Sequence, residues 1–249
     1  MRFFCPNCGR DEEILLDRKP RCLLCPVDMI AASDYSELWM SPYITIRRMA
    51  TISETYGIER ARTNQRFKKD REARTTGLLA LALSKLNDEE WWVEIETVDS
   101  TPDTRLHRID QSSGHNIIQT YSIEIVDWEE NTPDIMQVIG KKCGRAYPGH
   151  YLLVVNARHA GKVLNLDQVI EEMKKLPSPF LETWVVVCIG EGLLKVARVD
   201  PAGPVIDLNF RTELENPNKQ PPFVRKGIRG TEPGFRSLGP AFLPIPTGD

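Results

Sequence analysis

From about Tyr43 to Leu86 the spacing of apolar residues predicts helix. The part from Gly57 to Leu86 lacks proline and ends in the strongly apolar run Leu78-Leu79-Ala80-Leu81-Ala82-Leu83. The arginine-rich stretch ahead of Gly77 is polar on most sides and is expected to be exposed. Asn87-Asp88 ends the helix, and Trp91–Val98 alternates as a strand does. Arg105–Ile109 and Ile117–Val126 are expected to pair about the turn signal Gln111-Ser112-Ser113-Gly114. Thr132-Pro133 reads as a helix start, with Thr132 as N-cap, for a helix that carries Ile135, Met136, Val138 and Ile139 and stops near Gly144. Tyr151–Asn156 is a continuous apolar run of the kind found in buried central strands. Asn165 caps the next helix, with Gln168 at its third position and Pro177 beyond its end. Thr183–Ile189 is a second buried strand, and Gly190-Glu191-Gly192 turns the chain into Leu193–Val199.

This order predicts an α/β fold: a mixed central sheet flanked by helices on both faces. The expected organisation is a small N-terminal module over residues 1–28, a linker with a helical segment over 29–56, and an α/β domain over 57–210. A proline-rich extended tail covers 211–249.

The chain has 249 residues, 41% of them hydrophobic and 27% charged, as in ordinary soluble proteins. No apolar run approaches the roughly 20 residues that span a bilayer, so no membrane partner and a cytoplasmic location are expected. Cys143 and Cys188 are expected to be buried thiols. The four histidines are expected at the surface, and none forms a metal-ligand pair at helical spacing. Net charge is only −3, but Ser41–Thr76 holds nine Lys/Arg against four acids. Arg60, Arg62, Arg66, Lys68, Lys69, Arg71 and Arg74 are therefore candidate contacts to a nucleic-acid backbone. The same charges also suit a solvated helix face. The phosphate-binding, dinucleotide-binding and nucleophile-elbow glycine motifs are all missing, which argues against nucleotide hydrolysis, dinucleotide binding and α/β-hydrolase chemistry.

Cys5 and Cys8 form one C-x2-C pair, Cys22 and Cys25 another, with thirteen residues between. Two thiolates on each of two tight turns can close a tetrahedron around Zn2+. With no ligand position left open, the zinc is expected to be structural, and residues 1–28 read as a zinc ribbon. A segment this short cannot bury a sufficient core, so the metal would supply its folding energy.

Pro102-Asp103 precedes the second strand of the central domain, and Glu124 follows twenty-one residues later on the third. In that element order the chain resembles the PD-(D/E)xK, or restriction-endonuclease-like, superfamily, whose core runs α-β-β-β-α-β. The resemblance covers about residues 58–200. It implies a metal-dependent nuclease in which Asp103 and Glu124 hold Mg2+ or Mn2+, hard cations suited to carboxylate oxygens. The lysine that the superfamily places two residues after the Glu is here Val126. Lys141 and Lys142, on the following helix, are the candidate replacements, and Glu72 resembles the extra acid that some members carry on their first helix.

Each residue also has a plainer use. Lys141 and Lys142 suit a helix C-terminus, Asp103 can cap a turn, and Glu124 can face solvent. Two functions follow. One is a metal-dependent nuclease whose zinc ribbon and basic helix grip nucleic acid. The other is a catalytically inactive adaptor for nucleic acid or protein, built on the same core.

Overall fold

The computed structural model describes residues 2–5, 11–13, 21–23, 28–31, 38–95, 101–110, 117–147, 150–158, 163–190, 192–209, 212 and 223–225. Three short strands, β1 (Arg2–Phe4), β2 (Asp11–Glu13) and β3 (Ile30–Ala31), form a small antiparallel sheet in the order β2-β1-β3. Cys5 and Cys22 are buried here, whereas Cys8 and Cys25 lie outside the described residues.

The rest of the chain begins with β4 (Leu38–Met40) and helix α1 (Pro42–Tyr56). Ser41 caps α1 by accepting from the Ile44 amide, and Pro42 opens it, where its missing N–H costs nothing. The helix reading from Tyr43 to Leu86 resolves into separate pieces. Gly57, at φ +86°, breaks the rod because this backbone conformation suits glycine. The short helix α2 (Ile58–Thr63), a 3-10 turn (Gln65–Phe67) and the long helix α3 (Lys68–Asn87) follow. Asp88 ends α3 in the left-handed conformation.

Three antiparallel strands come next: β5 (Trp91–Ile95), β6 (Thr104–Asp110) and β7 (Ile117–Trp128). Helix α4 (Ile135–Cys143) then leads to β8 (Tyr151–Ala157), and helix α5 (Leu166–Met173) leads to β9 (Glu182–Gly190). Strands β10 (Leu193–Asp200), β11 (Ala202–Asn209) and β12 (Phe223–Arg225) complete the sheet. Its order is β11-β10-β9-β8-β7-β6-β5-β4-β12. β7, β8 and β9 run parallel, and the other neighbours are antiparallel.

Helices cover both faces, and each covers its own apolar cluster. On one face Leu78–Leu83 of α3 pack on Val93, Leu106, Ile123, Val154 and Val186. On the other, Ile135 and Ile139 of α4 and Val169 and Met173 of α5 pack on Leu153, Val155 and Val185. Every residue of β8 is buried, as its unbroken apolar run requires. α3 crosses α1 so closely that a methyl group on Gly77 would lie 2.1 Å from Thr45 Oγ1, which leaves room there for hydrogen alone.

Several expectations need correction. The cap of α4 is Asp134, which accepts from the Met136 amide, whereas Thr132 carries the carbonyl that takes the Trp128 indole proton. The arginine-rich stretch is not mostly exposed: Asp70, Glu72, Ala73, Thr75 and Thr76 are buried because α3 lies against the sheet and α1 along its whole length. His107 is buried rather than superficial. Cys188 is exposed and Cys143 only half-buried, since both lie near element ends. The tail contributes one strand, Phe223–Arg225, paired with β4 at the sheet edge.

Candidate functional site

The ladder between β6 and β7 stops where Thr104 faces Ile123, but β7 runs on to Trp128 alongside β8. At that point the sheet opens. Asp103 continues the pairing by other means: its amide donates to the Ile123 carbonyl (3.0 Å), and its Oδ2 accepts from the Ile125 amide (2.8 Å). The carboxylate therefore occupies the end of β6, in place of the next backbone acceptor.

Helix α3 is fixed beside this opening by a buried contact of 2.6 Å between the Thr76 and Thr104 hydroxyls. Glu72 lies one helical turn before Thr76 and so comes down next to Asp103. The Glu72 side chain is only 9% exposed, with Lys69 Nζ 3.1 Å from Oε2 and Lys68 Nζ 3.6 Å from Oε1. Burial, followed by the negative charge of Asp103, raises its pKa above the ordinary carboxylate value despite these lysines.

Glu124 lies on the opposite face of β7, among the residues that look toward α4. It is 3% exposed, and its Oε1 accepts from Lys142 Nζ and, at 3.4 Å, from the Tyr147 hydroxyl. Burial and the Glu124 charge push the Tyr147 phenol up to about 12, so it stays a proton donor. Oε2 of Glu124 is shielded from solvent and has no hydrogen-bond partner among the described residues. A buried carboxylate oxygen left unpaired is costly.

Lys142 also lines a cavity of about 590 Å3 at the opening. Glu72, Asp103, Ile125, Asp127 and Arg158 share the same cavity. Val126 stands at the usual lysine position and packs, partly buried, against the apolar cluster beneath α4 and α5. Lys142 brings the charge to Glu124 from the helix above. Lys141 points away and is exposed.

Of the predicted basic contacts, Arg62, Lys68 and Arg71 line the cavity. Arg60 and Arg66 are exposed outside it, with the Arg66 guanidinium over the rings of Tyr56 and Phe67 at 5.7 and 5.6 Å. Lys69 and Arg74 are half-buried and do not line it.

The sequence reading passed over Tyr147, Asp127, Asn156 and Arg158. Asp127 accepts from Asn156 Nδ2 (2.8 Å) and lies 2.8 Å from Arg158 Nη2, which holds that guanidinium at the carboxyl ends of β7 and β8. Burial raises the Asp127 pKa, against the pull of Arg158. The available signal was position: Asn156 and Arg158 are polar residues at the end of a buried strand, where ligands of open α/β sheets gather. No signal pointed to Tyr147. Among the described residues, no group of three His, Cys, Asp or Glu side chains converges closely enough to hold a metal ion, and no helix is long and apolar enough to cross a membrane. No protein-family model, curated protein or solved structure matches the chain.

Proposed function

We propose that the chain is a metal-dependent nuclease that hydrolyses phosphodiester bonds, with the carboxylates at the β6–β7 opening as its centre. The observation that carries the reading is Lys142, which reaches Glu124 from α4 and lines the cavity that Asp103 and Glu72 also line. The element order α3-β5-β6-β7-α4-β8 supports the resemblance to the PD-(D/E)xK superfamily, with Lys142 standing where Val126 displaces the usual lysine.

The donors suit Mg2+ or Mn2+. Glu124 Oε2 has no partner, and the Asp103 and Glu72 charges oppose each other. Asp103 and Glu124 would hold the ion, which requires Glu124 Oε2 to turn from beneath α4 toward the cavity that Asp103 lines; the ion would polarise a phosphoryl oxygen and favour ionised water. Lys142 fixes Glu124 and places positive charge at the cavity, where negative charge grows as the phosphorus is attacked. Arg62 and Lys68 offer charge to the backbone of an approaching strand.

Incubation of the protein with DNA or RNA and Mn2+, beside an Asp103→Ala/Glu124→Ala variant, tests this. Cleavage by the parent alone is expected. Cleavage of neither nucleic acid, or equal cleavage by the variant, removes the reading.

The second reading is an inactive nucleic-acid or protein adaptor. It draws on the shielding of Glu124 Oε2 and on the Lys142 ammonium, which already neutralises this carboxylate. It expects salt-dependent binding without turnover.

The zinc ribbon stays part of the proposal. Cys5 and Cys22 are buried in a segment with three short strands among the described residues, and with Cys8 and Cys25 they would supply an all-thiolate donor set suited to structural zinc. Mass measurement of the intact protein should find one zinc, lost on chelation.

A further inference from the structure

We infer that Arg71 and Arg158 form a phosphate clamp in the wall of the cavity, separate from the carboxylates proposed to hold the metal. The inference rests on the nucleic-acid reading of the cavity but not on turnover.

The two guanidiniums come from different elements. Arg71 lies in the first turn of α3, and Arg158 directly follows β8, where its amide donates to the Trp128 carbonyl (3.0 Å). Both line the cavity. Each is held by groups that occupy only part of its fork. Arg71 donates through Nη1 alone, to the carbonyls of Ala61 (3.1 Å) and Asn64 (2.8 Å), so its other donors have no protein acceptor among the described residues. Arg158 spends Nη2 on Asp127 at 2.8 Å, and Glu129 is 3.8 Å from Nη1. Asp127 is in turn held by Asn156, so Arg158 has a prepared orientation.

Two guanidiniums directed into one partly buried space repel each other. That repulsion, after burial, lowers the pKa of Arg71. The carbonyls on Arg71 and the carboxylates of Asp127 and Glu129 on Arg158 leave fork donors of both guanidiniums over, and those donors match the oxygens of a phosphate. The helix start adds to this. α3 is 20 residues long and its N-terminus has no side-chain cap, so its first-turn dipole also favours negative charge at Lys68 and Arg71. The ligand class is a phosphate of a polynucleotide. It is either an internal phosphodiester beside the bond to be cut or a terminal phosphate.

The test is fluorescence anisotropy of labelled oligonucleotides in EDTA, which suppresses cleavage. Identical strands carry a 5′-phosphate or a 5′-hydroxyl, and the titrations run at several salt concentrations. Arg71→Gln and Arg158→Gln are each expected to weaken binding roughly tenfold and to lower the salt slope by about one. Lys175→Gln, exposed and outside the cavity, is expected to change affinity less than about twofold. Equal losses on both strands assign the clamp to an internal phosphodiester, and a loss confined to the 5′-phosphorylated strand assigns it to a terminus. Either result upholds it. Wild-type affinity and slope in both variants overturn the clamp while leaving the nuclease reading intact. Failure of the parent protein to bind either strand overturns the clamp and the nucleic-acid reading together. Binding without cleavage once Mn2+ is added removes hydrolysis alone. If a glutamine variant unfolds, Arg71→Lys and Arg158→Lys replace it. They keep the charge but lose the fork, and undiminished affinity in both overturns the clamp.

Discussion

Thr120 and Glu124 lie four residues apart on one face of β7, about 13 Å along the strand, and each anchors a polar cluster. Around Thr120 both nitrogens of the His107 ring are bonded, although the Trp39 indole N–H is buried without a hydrogen-bond partner among the described residues. His107 Nδ1 meets the Thr120 hydroxyl at 2.9 Å and Nε2 meets Glu94 Oε2 at 2.7 Å, while Trp39 stacks on the ring at 4.1 Å. Around Glu124, Lys142 and Tyr147 both compete for Oε1, and Oε2 has nothing. The first cluster joins β5, β6 and β7 under the edge strand β4 and contributes no residue to the cavity, so it is architecture. The second borders the cavity and is one partner short. In the nuclease reading that gap is where the metal ion would sit.

The sharpest separation comes from one substitution in each cluster. Glu124→Gln should remove at least about a thousandfold of Mn2+-dependent cleavage, with little change in melting temperature, because a neutral amide is easier to bury. His107→Ala should leave cleavage within about threefold but cost about 2–3 kcal/mol, since Glu94 loses its partner and Trp39 its stack. Thermal melts and a cleavage assay on both proteins decide it. Loss of cleavage by His107→Ala with stability intact would reverse the assignments.

Lys142→Met should lower turnover by roughly a hundredfold. At neutral pH it should also destabilise by about 3 kcal/mol, because an unpaired buried carboxylate remains. Combining it with Glu124→Gln should restore most of the stability and none of the activity. A double-mutant cycle on melting free energies measures this, and additive losses would show that the pair is not coupled.

Glu72 offers a smaller effect with a definite sign. Burial and the Asp103 charge raise its pKa in the folded state above the ordinary carboxylate value, so the fold prefers the protonated form. The stability linked to that proton is complete below the unfolded pKa and is lost as pH rises through the folded one. Glu72→Gln should therefore melt about 2–4 °C higher at pH 7, an advantage that shrinks as pH falls toward 4. Calorimetry across that range reads it.

Tyr147→Phe should have the least effect, about 0.5–1 kcal/mol, from the loss of one long hydrogen bond. The Tyr147 proton is held up to about 12 against the ordinary phenol value of 10.0, so the parent should lose stability between those pH values and the variant should lose less. Alkaline melting curves that superimpose would count against the contact with Glu124.

Much of the architecture was legible because it depends on neighbours in sequence. Asn165 caps α5 through the Gln168 amide, Asp88 closes α3, and the apolar run of β8 lies buried at mid-sheet. Local cues also misled. Thr132-Pro133 resembled a helix start, yet Asp134, two residues on, offers its carboxylate to the Met136 amide. Polarity before Gly77 suggested exposure, yet Asp70 is buried against Arg48 of α1 at 2.5 Å, an ion pair formed across 22 residues of sequence.

The order of elements, the apolar strands, the cysteine spacing and the acids Asp103 and Glu124 were set by the sequence alone, because periodicity and short-range hydrogen bonding need no partner from afar. That Lys142 and not Lys141 meets Glu124, that Glu72 comes down beside Asp103, and that Arg158 joins Arg71 were decided only when the helices docked on the sheet. Those pairs join residues 18 to 87 positions apart, and which face of each element turns inward is fixed by packing the whole core rather than by any local pattern.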